Sequence, residues 1–259
     1  MSVSTFKTAD TSYESAQWQA RVDLAAAHRL AVMHGFHEGI FNHLTLAVPG
    51  TDDRYLQIPF GLHWSEITAG CFMEVGYDGA LLAGAGEVER SCYCIHAPIH
   101  RLNSEAACVM HTHMPYASAL ARLKDPQVLP IGQTEMGIMM QTAYDMEYTG
   151  PAFDPEEGER LVSVLGDKTI LIMANHGALT VGKTVAEAYD RLYYLERVAQ
   201  VQLYALWTGQ PLNTLSQAVI DQTVKGFQGA PQYANQPNAV HHFTALKRLL
   251  DKHESDYRD

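Results

Sequence analysis

Residues 169–196 read TILIMANHGALTVGKTVAEAYDRLYYLE and carry the signals that decide the fold. The apolar run Thr169–Met173 predicts a buried strand, and Asn175-His176-Gly177 predicts a tight turn. Ala178–Val181 then predicts a second, short strand. Thr184 and Glu187 have the spacing of a capping box, so a long helix is predicted to begin there. Two strands followed by a helix indicate an α/β domain.

Similar patterns extend in both directions from this stretch. Apolar spacing and capping residues predict helices over Glu14–His34, Ser91–Leu102, Pro115–Leu123, Asp154–Gly166, Leu212–Phe227 and Val240–Glu254. Alternating apolar residues and Pro-Gly or Asp-Gly turns predict two hairpins, Leu44–Val48 with Tyr55–Ile58 and Phe72–Gly76 with Ala80–Leu82, and a further strand at Ala106–His113. Residues 124–153, which are rich in proline and glycine, are predicted to be irregular. Alternating helices and strands predict a layered α/β/α architecture.

The composition describes a folded globular protein. Of the 259 residues, 47% are apolar and 18% charged, which excludes the disordered and membrane classes. No linker or repeat interrupts the chain, so a single domain is predicted over residues 14–259, after a flexible N-terminus at 1–13.

Charge and cysteine usage exclude several partners. Lysine and arginine number 18 against 29 acidic residues, and the net charge of −11 disfavours nucleic acid and anionic membranes as partners. The four cysteines form no Cys-x-x-Cys pair, and the first fifteen residues contain no apolar signal segment. The sequence therefore predicts a cytoplasmic protein with reduced thiols.

Three histidines are candidate metal ligands. His111 and His113 are two residues apart on a predicted strand, so both imidazoles project from the same face. Such a pair either binds a metal or forms hydrogen bonds within the core. His176 follows a strand in a turn where Gly177 permits a positive φ or a close approach, although a turn histidine also bonds its own backbone. Together, the three would suit a catalytic divalent metal such as zinc with an open fourth position.

Five segments carry a resemblance to a known family. They are GIFNHLTLAVPG (39–50), IPFGLHWSEIT (58–68), CYCIHAPIH (92–100), VMHTHMPYASAL (109–120) and LIMANHGALTVGKTVAEAYDRLYYLE (171–196). In this order they resemble the class II aldolase/adducin family, which includes fuculose-phosphate and ribulose-phosphate aldolases. The resemblance implies a three-layer α/β/α domain with a central, mainly antiparallel sheet, and a homotetramer with shared active sites. It also implies that His111, His113 and His176 bind a divalent metal, usually zinc, with manganese and iron as alternatives.

The chain departs from the aldolase pattern at several positions. The glutamate that binds metal and acts as acid/base in those aldolases is replaced by Cys92. A thiolate at this position could still coordinate zinc, but a small buried helix residue is an equal alternative, so we assign Cys92 no role. Where those enzymes hold phosphate, this chain has Phe41-Asn42, Phe60-Gly61 and Arg90-Ser91. Two aromatic rings replace small polar groups, which indicates a less polar, unphosphorylated substrate. Arg90 is either a partner for a substrate carboxylate or a solvated arginine at the start of a helix.

Other titratable residues have less specific patterns. Glu135, Tyr144 and Tyr148 are the candidates to replace the missing acid/base, and the two tyrosines are favoured because a phenol can donate to a developing oxyanion. His96 and His100 are four residues apart on a predicted helix and could form a metal-binding pair, but the resemblance implies that they pack and form hydrogen bonds. The remaining candidates are His43 and His63 as possible substrate contacts and His241-His242 as a solvated helix face.

These observations predict a metal-dependent lyase that performs aldol cleavage or decarboxylation of a hydroxy or oxo acid through a metal-stabilised enediolate. The resemblance leaves isomerase, dehydratase and oxygenase chemistry open. The alternative from another class is a non-catalytic, adducin-like interaction module.

Overall fold

The computed structural model describes residues 11–229 and 236–259. Residues 1–10 of the predicted flexible segment lie outside the described part. The helices are α1 (Thr11–His34), α2 (Arg90–Leu102), α3 (Pro115–Leu120), α4 (Gln133–Gln141), α5 (Pro155–Leu165), α6 (Val185–Trp207), α7 (Gln217–Gly229) and α8 (Gln236–Leu250). The strands are β1 (His43–Ala47), β2 (Arg54–Gln57), β3 (Met73–Gly76), β4 (Leu81–Ala83), β5 (Cys108–Thr112), β6 (Thr142–Asp145), β7 (Ile170–Met173) and β8 (Ala178–Gly182).

The eight strands form one sheet in the order β4-β3-β2-β1-β5-β8-β7-β6. Neighbouring strands are antiparallel except β6 and β7, which are parallel. The mainly antiparallel sheet implied by the resemblance is therefore confirmed. β5 lies between β1 and β8, and its register places His111 opposite His43 on one side and Leu179 on the other.

Side chains alternate across the sheet and build two separate cores. Met110 and Ile172 face a large core that includes residues of α1, α3, α6 and α8. Val109, Leu171 and Leu179 face the other way, toward apolar residues of α2 and α5. Helices thus cover both faces of the sheet, which confirms the predicted three-layer α/β/α architecture.

The prediction of irregular structure at residues 124–153 is wrong for part of that stretch, because α4 and β6 lie within it. α4 has the sequence QTEMGIMMQ, with Gly137 at its centre and no regular apolar spacing, so the helical signal was weak. β6 has four residues and pairs with β7, a strand about thirty residues further on. Pairing at that distance leaves no local pattern.

Close contacts fix the position of α2, the helix that carries Cys92 and His96. Its N-terminus is capped by Glu89, whose carboxylate accepts hydrogen bonds from the N–H groups of Ser91 and Cys92. α5 crosses α2 at Gly158, where an added Cβ would lie 2.4 Å from the carbonyl oxygen of Cys94.

None of the helices at residues 11–229 and 236–259 is long and apolar enough to cross a membrane.

Candidate metal centre

The structure brings the three predicted ligands together at one end of the sheet. His111 lies on β5, His113 follows its end, and His176 lies in the turn between β7 and β8. Their ring centroids are 4.7 to 5.0 Å apart. One potential ligand atom from each lies within 4.8 Å of the others, so all three can reach one ion.

Hydrogen bonds at the outer edges of two rings fix which nitrogen remains free. His111 donates from Nδ1 to the carbonyl oxygen of Ala178 at 3.0 Å, and Nδ1 of His113 bonds to the Glu38 carboxylate. Nε2 is then the remaining ligand atom on each neutral ring. Nε2 of His113 is buried and has no hydrogen-bond partner among the described residues. An orphaned nitrogen beside two further imidazoles fits a divalent metal ion, whose histidine ligands are oriented by such outer bonds.

Burial keeps two of these imidazoles in the form that binds metal. Desolvation lowers the pKa of His111 well below its ordinary value, and the neighbouring histidines lower it further. Burial, followed by the charge of His113, lowers the pKa of His176 to about 4. Because only a neutral imidazole has a free lone pair, both rings are available as ligands at neutral pH.

The backbone beside the triad is held in an unusual conformation. Asn42 adopts a left-handed conformation with a φ of 74°, and its Oδ1 accepts a hydrogen bond of 3.0 Å from the N–H of His113. In the turn carrying His176, Asn175 is the left-handed residue, with a φ of 57°. The close approach predicted at Gly177 is confirmed, since an added Cβ would lie 2.6 Å from both Cδ2 of His113 and the carbonyl oxygen of Thr112.

We therefore expect Gly177→Ala to weaken metal binding by about tenfold or more, because the methyl group must displace His113 or its backbone and one ligand is worth on the order of 1.4 kcal/mol or more. Isothermal titration with Zn²⁺ measures the affinity. Gly226→Ala is the matched control, because an added Cβ there meets nothing within 4 Å. Equal affinities in both variants would show that the close approach has no influence on the site.

Known proteins are similar to this chain over most of its length. A family model described as the class II aldolase and adducin N-terminal domain matches residues 22–203. The chain belongs to the class II aldolase and adducin family. A protein from Pseudomonas aeruginosa whose name describes it as an aldolase class 2 protein is 34% identical over 245 residues. These residues cover 94% of this chain and 93% of that protein.

Two solved structures extend the comparison. One is a crystal structure of an aldolase II superfamily protein from Pseudomonas syringae, which is 36% identical in sequence and has a TM-score of 0.86. The match covers 94% of this chain and 96% of that chain. An L-fuculose 1-phosphate aldolase from Glaciozyma antarctica PI12 has a TM-score of 0.81 at 24% identity, with 98% of each chain covered. At that identity the second structure supports the class II aldolase fold alone.

The predicted substrate-binding residues Phe41 and Phe60 are both partly exposed. Phe41 and Phe60 are 59% and 37% exposed, so both rings remain available to a ligand. Phe41 belongs to a short turn in which its N–H donates to the carbonyl oxygen of Glu38, the residue that holds His113. Gly61 follows Phe60 with a φ of 96°, which favours glycine at that position.

Arg90 and Ser91 begin α2, and each has a partner within the chain. Arg90 is exposed and donates from Nε and Nη2 to the carbonyl oxygen of Phe153 at 3.0 and 2.7 Å. The Ser91 hydroxyl lies 2.9 Å from both oxygens of Glu89 and 3.2 Å from Nε2 of His43. Ser91 therefore lies next to the metal-centre strands, whereas Arg90 points its guanidinium toward the loop before α5.

Of the three candidate acid/base residues, the structure places one beside the triad. The ring of Tyr148 is 6.1 Å from that of His176, and the residue is 52% exposed. Tyr144 packs against the large core that includes residues of α1, α3, α6 and α8, and its hydroxyl accepts a hydrogen bond from the N–H of Val128. Glu135 is buried on α4 near Tyr193 and Arg197 of α6. Within this chain, Tyr144 and Glu135 do not meet the histidines.

Two carboxylates near the histidines were missed by the sequence analysis. Glu38 holds His113, and Glu89 lies 3.6 Å from Nε2 of His43. Glu38 is 75 residues from its partner and carries no local signal. Glu89 precedes α2 at its N-cap, and an acidic residue just before a predicted helix was the signal available for it.

The other histidines have varied surroundings. His96 and His100 form hydrogen bonds within the core, as expected, and Nδ1 of His63 bonds to the Ser65 hydroxyl at 2.7 Å. The prediction of a solvated face at His241-His242 is wrong for His242, which bonds to Asp190 of α6 at 2.7 Å. That contact depends on how α8 packs on α6 and leaves no signal in the local sequence.

A cavity of about 350 Å³ lies far from the triad, between α4, α6, α7 and α8. Its lining includes Gln133, Glu187, Arg191, Tyr194 and His242. The metal-centre histidines face the α2 and α5 side of the sheet, whereas α6 and α8 contribute to the core on the other face. The cavity is therefore separate from the candidate metal centre.

Proposed function

We propose that this protein is a metal-dependent lyase of the class II aldolase and adducin family, with the metal held by His111, His113 and His176. The convergence of the three imidazoles, with an orphaned buried Nε2 on His113, carries this proposal. A bound divalent ion, most simply Zn²⁺, with Mn²⁺ or Fe²⁺ as alternatives, would supply Lewis-acid stabilisation to the enediolate that forms when a carbon–carbon bond breaks.

The residues around the ligands prepare the site for that ion. Glu38 holds Nδ1 of His113, and the Ala178 carbonyl holds Nδ1 of His111, so neither ring needs to reorient on binding. Preorganised ligands avoid the free-energy cost of ordering them when substrate arrives. Asn42 fixes the backbone of His113 from the neighbouring strand.

Tyr148 is the acid/base residue that this geometry favours. Its exposed phenol stands beside His176, where it can protonate the carbanion left after bond cleavage. The Glu89 carboxylate is occupied by the N–H groups at the start of α2 and by the Ser91 hydroxyl, which makes it a poor general base. Loss of CO₂ needs no base, so we favour decarboxylation over aldol cleavage. Glu135 and Tyr144 remain predictions that would require a neighbouring subunit.

Phe41 and Phe60 support an unphosphorylated hydroxy or oxo acid as the substrate. A phosphate dianion placed against these rings would lose hydration without gaining paired donors, at a cost of several kcal/mol. An aromatic or short hydroxy acid could instead stack on the rings. Arg90, which retains Nη1 beyond its contacts with Phe153, could then bind its carboxylate, and Asn42, Gly61 and Ser91 are the other proposed substrate contacts.

A substrate panel tests this specificity. We expect unphosphorylated hydroxy and oxo acids to be turned over with a kcat/KM at least about 100-fold above that of fuculose and ribulose phosphates, since about 2.7 kcal/mol corresponds to that factor. Assays run in parallel with zinc, manganese and iron.

The Ser91→Ala variant tests the opposite outcome, in which a sugar phosphate is the better substrate. Efficient turnover of a sugar phosphate that is lost in Ser91→Ala would show that the phosphate cradle persists in another form, and would contradict the specificity inferred from the aromatic residues. Phe41→Ser serves as the complementary variant, because it restores a small polar side chain and should narrow the difference between the substrate classes.

We also propose a homotetramer that works in the cytoplasm on a small molecule, without nucleic acid or membrane partners. Apolar side chains exposed along the C-terminal part of α6 support an interface between copies, since Trp207, Tyr204 and Val201 are 83%, 46% and 47% exposed. All four cysteines are free, as expected in a reducing compartment.

A second candidate function is a non-catalytic interaction module of the adducin type. The family includes adducins, and Cys92 stands where the resemblance predicts the catalytic glutamate, which favours this alternative. Isomerase, dehydratase and oxygenase chemistry would use the same metal centre. Stoichiometric metal that is lost in His111→Ala/His113→Ala supports the enzymes, and a triad without metal supports the module.

A further inference from the structure

A second cluster of metal-binding side chains lies next to the candidate metal centre. It consists of His43 on β1 and of Cys92 and His96 on α2, all three buried, with donor atoms within 4.8 Å of one another. From sequence, Cys92 was left open as a zinc ligand, His96 was expected to pack and form hydrogen bonds, and His43 was expected to contact substrate. The ring of His43 is 5.1 Å from that of His111, so the two clusters are neighbours that share no ligand.

A chain of hydrogen bonds fixes the free nitrogen of His96. His100 donates from Nδ1 to the carbonyl oxygen of Ala106 at 2.7 Å, because a carbonyl only accepts. Its Nε2 therefore accepts from the Thr45 hydroxyl at 2.7 Å, and Thr45 in turn accepts from Nδ1 of His96 at 2.6 Å. Nε2 of neutral His96 is left with a lone pair that points at His43.

His43 and His96 face each other at a distance suited to a shared ion. Nδ1 of His43 lies 3.0 Å from Nε2 of His96. Two imidazole nitrogens bound to one tetrahedral zinc at about 2.0–2.1 Å are about 3.3 Å apart, so only a small movement would admit an ion between them. The Cys92 thiol then supplies a soft third ligand of the kind that zinc prefers.

The outer partners of His43 complete the site. When Nδ1 binds a metal, the proton of a neutral His43 sits on Nε2, which faces the Ser91 hydroxyl at 3.2 Å and the Glu89 carboxylate at 3.6 Å. Carboxylates in this position commonly orient metal-bound histidines. The divalent charge is balanced by the Cys92 thiolate and the Glu89 carboxylate, which avoids an uncompensated buried charge.

We propose that His43, Cys92 and His96 form a second metal site, distinct from the triad, for a thiophilic divalent cation such as Zn²⁺. On binding, the proton of His43 moves from its Nδ1 to its Nε2. The ion is then bound by Nδ1 of His43, by Nε2 of His96 and by Sγ of Cys92, whose thiol proton is released to water. Burial raises the pKa of the free thiol well above its usual range, so this proton is present before binding. The site stands independently of the proposed lyase activity.

Cobalt absorption tests the proposal without an activity assay. Metal-free protein is titrated with Co²⁺, and the near-ultraviolet charge-transfer band of a thiolate bound to cobalt is recorded. We expect the band to saturate with one equivalent beyond that taken by the triad, and to be lost in Cys92→Ser. It should persist in Cys94→Ser, the matched control on the same helix, and in His111→Ala/His113→Ala. Because one proton is released, the apparent affinity should rise about tenfold per pH unit.

Three outcomes would overturn the second site. The first is a wild-type protein saturated with cobalt that shows no thiolate band. The second is a band that survives in Cys92→Ser, since another cysteine would then be the ligand. The third is loss of the band in folded His111→Ala/His113→Ala, which would make Cys92 a ligand of the triad's own ion. Circular dichroism establishes that each variant is folded. His96→Gln should weaken the band, because it removes one ligand but keeps the thiolate.

Discussion

Replacing both His111 and His113 by alanine is expected to abolish stoichiometric metal binding at the triad and to lower kcat/KM by about 1,000-fold or more. The remaining imidazole, His176, cannot hold a divalent ion by itself. A Lewis-acid metal contributes several kcal/mol to stabilising a developing oxyanion, and about 4 kcal/mol corresponds to a factor of 1,000 in rate. The effect should fall on kcat, because the metal acts on the transition state.

Elemental analysis and steady-state kinetics on the wild type and the double variant measure both effects. His241→Ala/His253→Ala is the control, because it removes the same number of imidazoles from exposed positions. If the second metal site exists, the His111→Ala/His113→Ala variant retains the ion bound near Cys92, so total metal falls without reaching zero. Unchanged metal content together with unchanged turnover would exclude the triad as the catalytic metal centre.

Protonation of His28 and His100 alone is expected to lower the free energy of unfolding by about 4 kcal/mol between pH 7 and pH 5. Burial lowers the pKa of both His28 and His100 from 6.5 to about 4. Between these values the unfolded chain takes up protons that the folded chain does not, so the free energy of unfolding falls as the pH falls. Each histidine contributes roughly 2 kcal/mol at pH 5, at 1.36 kcal/mol per pH unit. That sum is a large part of a typical stability of 5–15 kcal/mol.

His28→Leu isolates one of these contributions. The His28 ring packs against Trp64 and Phe72, and its Nε2 has no hydrogen-bond partner among the described residues. Its Nδ1 donates to the carbonyl oxygen of Leu24 at 2.8 Å, but that carbonyl lies inside α1 and keeps its helical partner when leucine replaces the ring. Urea unfolding at pH 7 and pH 5 with EDTA present should show a difference about 2 kcal/mol smaller than in the wild type. His253→Leu, at an exposed position, should keep the wild-type difference. An identical difference in His28→Leu would contradict the mechanism.

Local signals predicted most of the helices and strands. Asp154 accepts from the N–H of Glu156 at the start of α5, and Thr184 accepts from the N–H of Glu187 at the start of α6. These capping residues act within one turn of the chain, so their effect is readable in sequence. α4 and β6 were missed because tertiary packing and parallel pairing stabilise them, and neither leaves a short-range pattern.

The histidine triad was predictable in part for the same reason. The two-residue period of a strand placed His111 and His113 on one face, and Gly177 marked the turn beside His176. Glu38 and His43 could not be assigned, since their contacts depend on the register of β1 against β5 and on a turn far away in sequence. The cluster of His43, Cys92 and His96 likewise requires α2 to lie across β1, which no local pattern indicates.

The position of β5 at the centre of the sheet has a consequence for the lifetime of the folded state. His111 lies 67 residues from Ala178, its hydrogen-bond partner on β8, so this pairing closes a long loop. A metal that bridges β5 and the turn before β8 binds only after those segments have met, and it therefore does little to accelerate folding. It instead opposes their separation and slows unfolding. The ion proposed to act in catalysis would thus also slow degradation of the protein. In cells with little available metal, the protein would be degraded sooner.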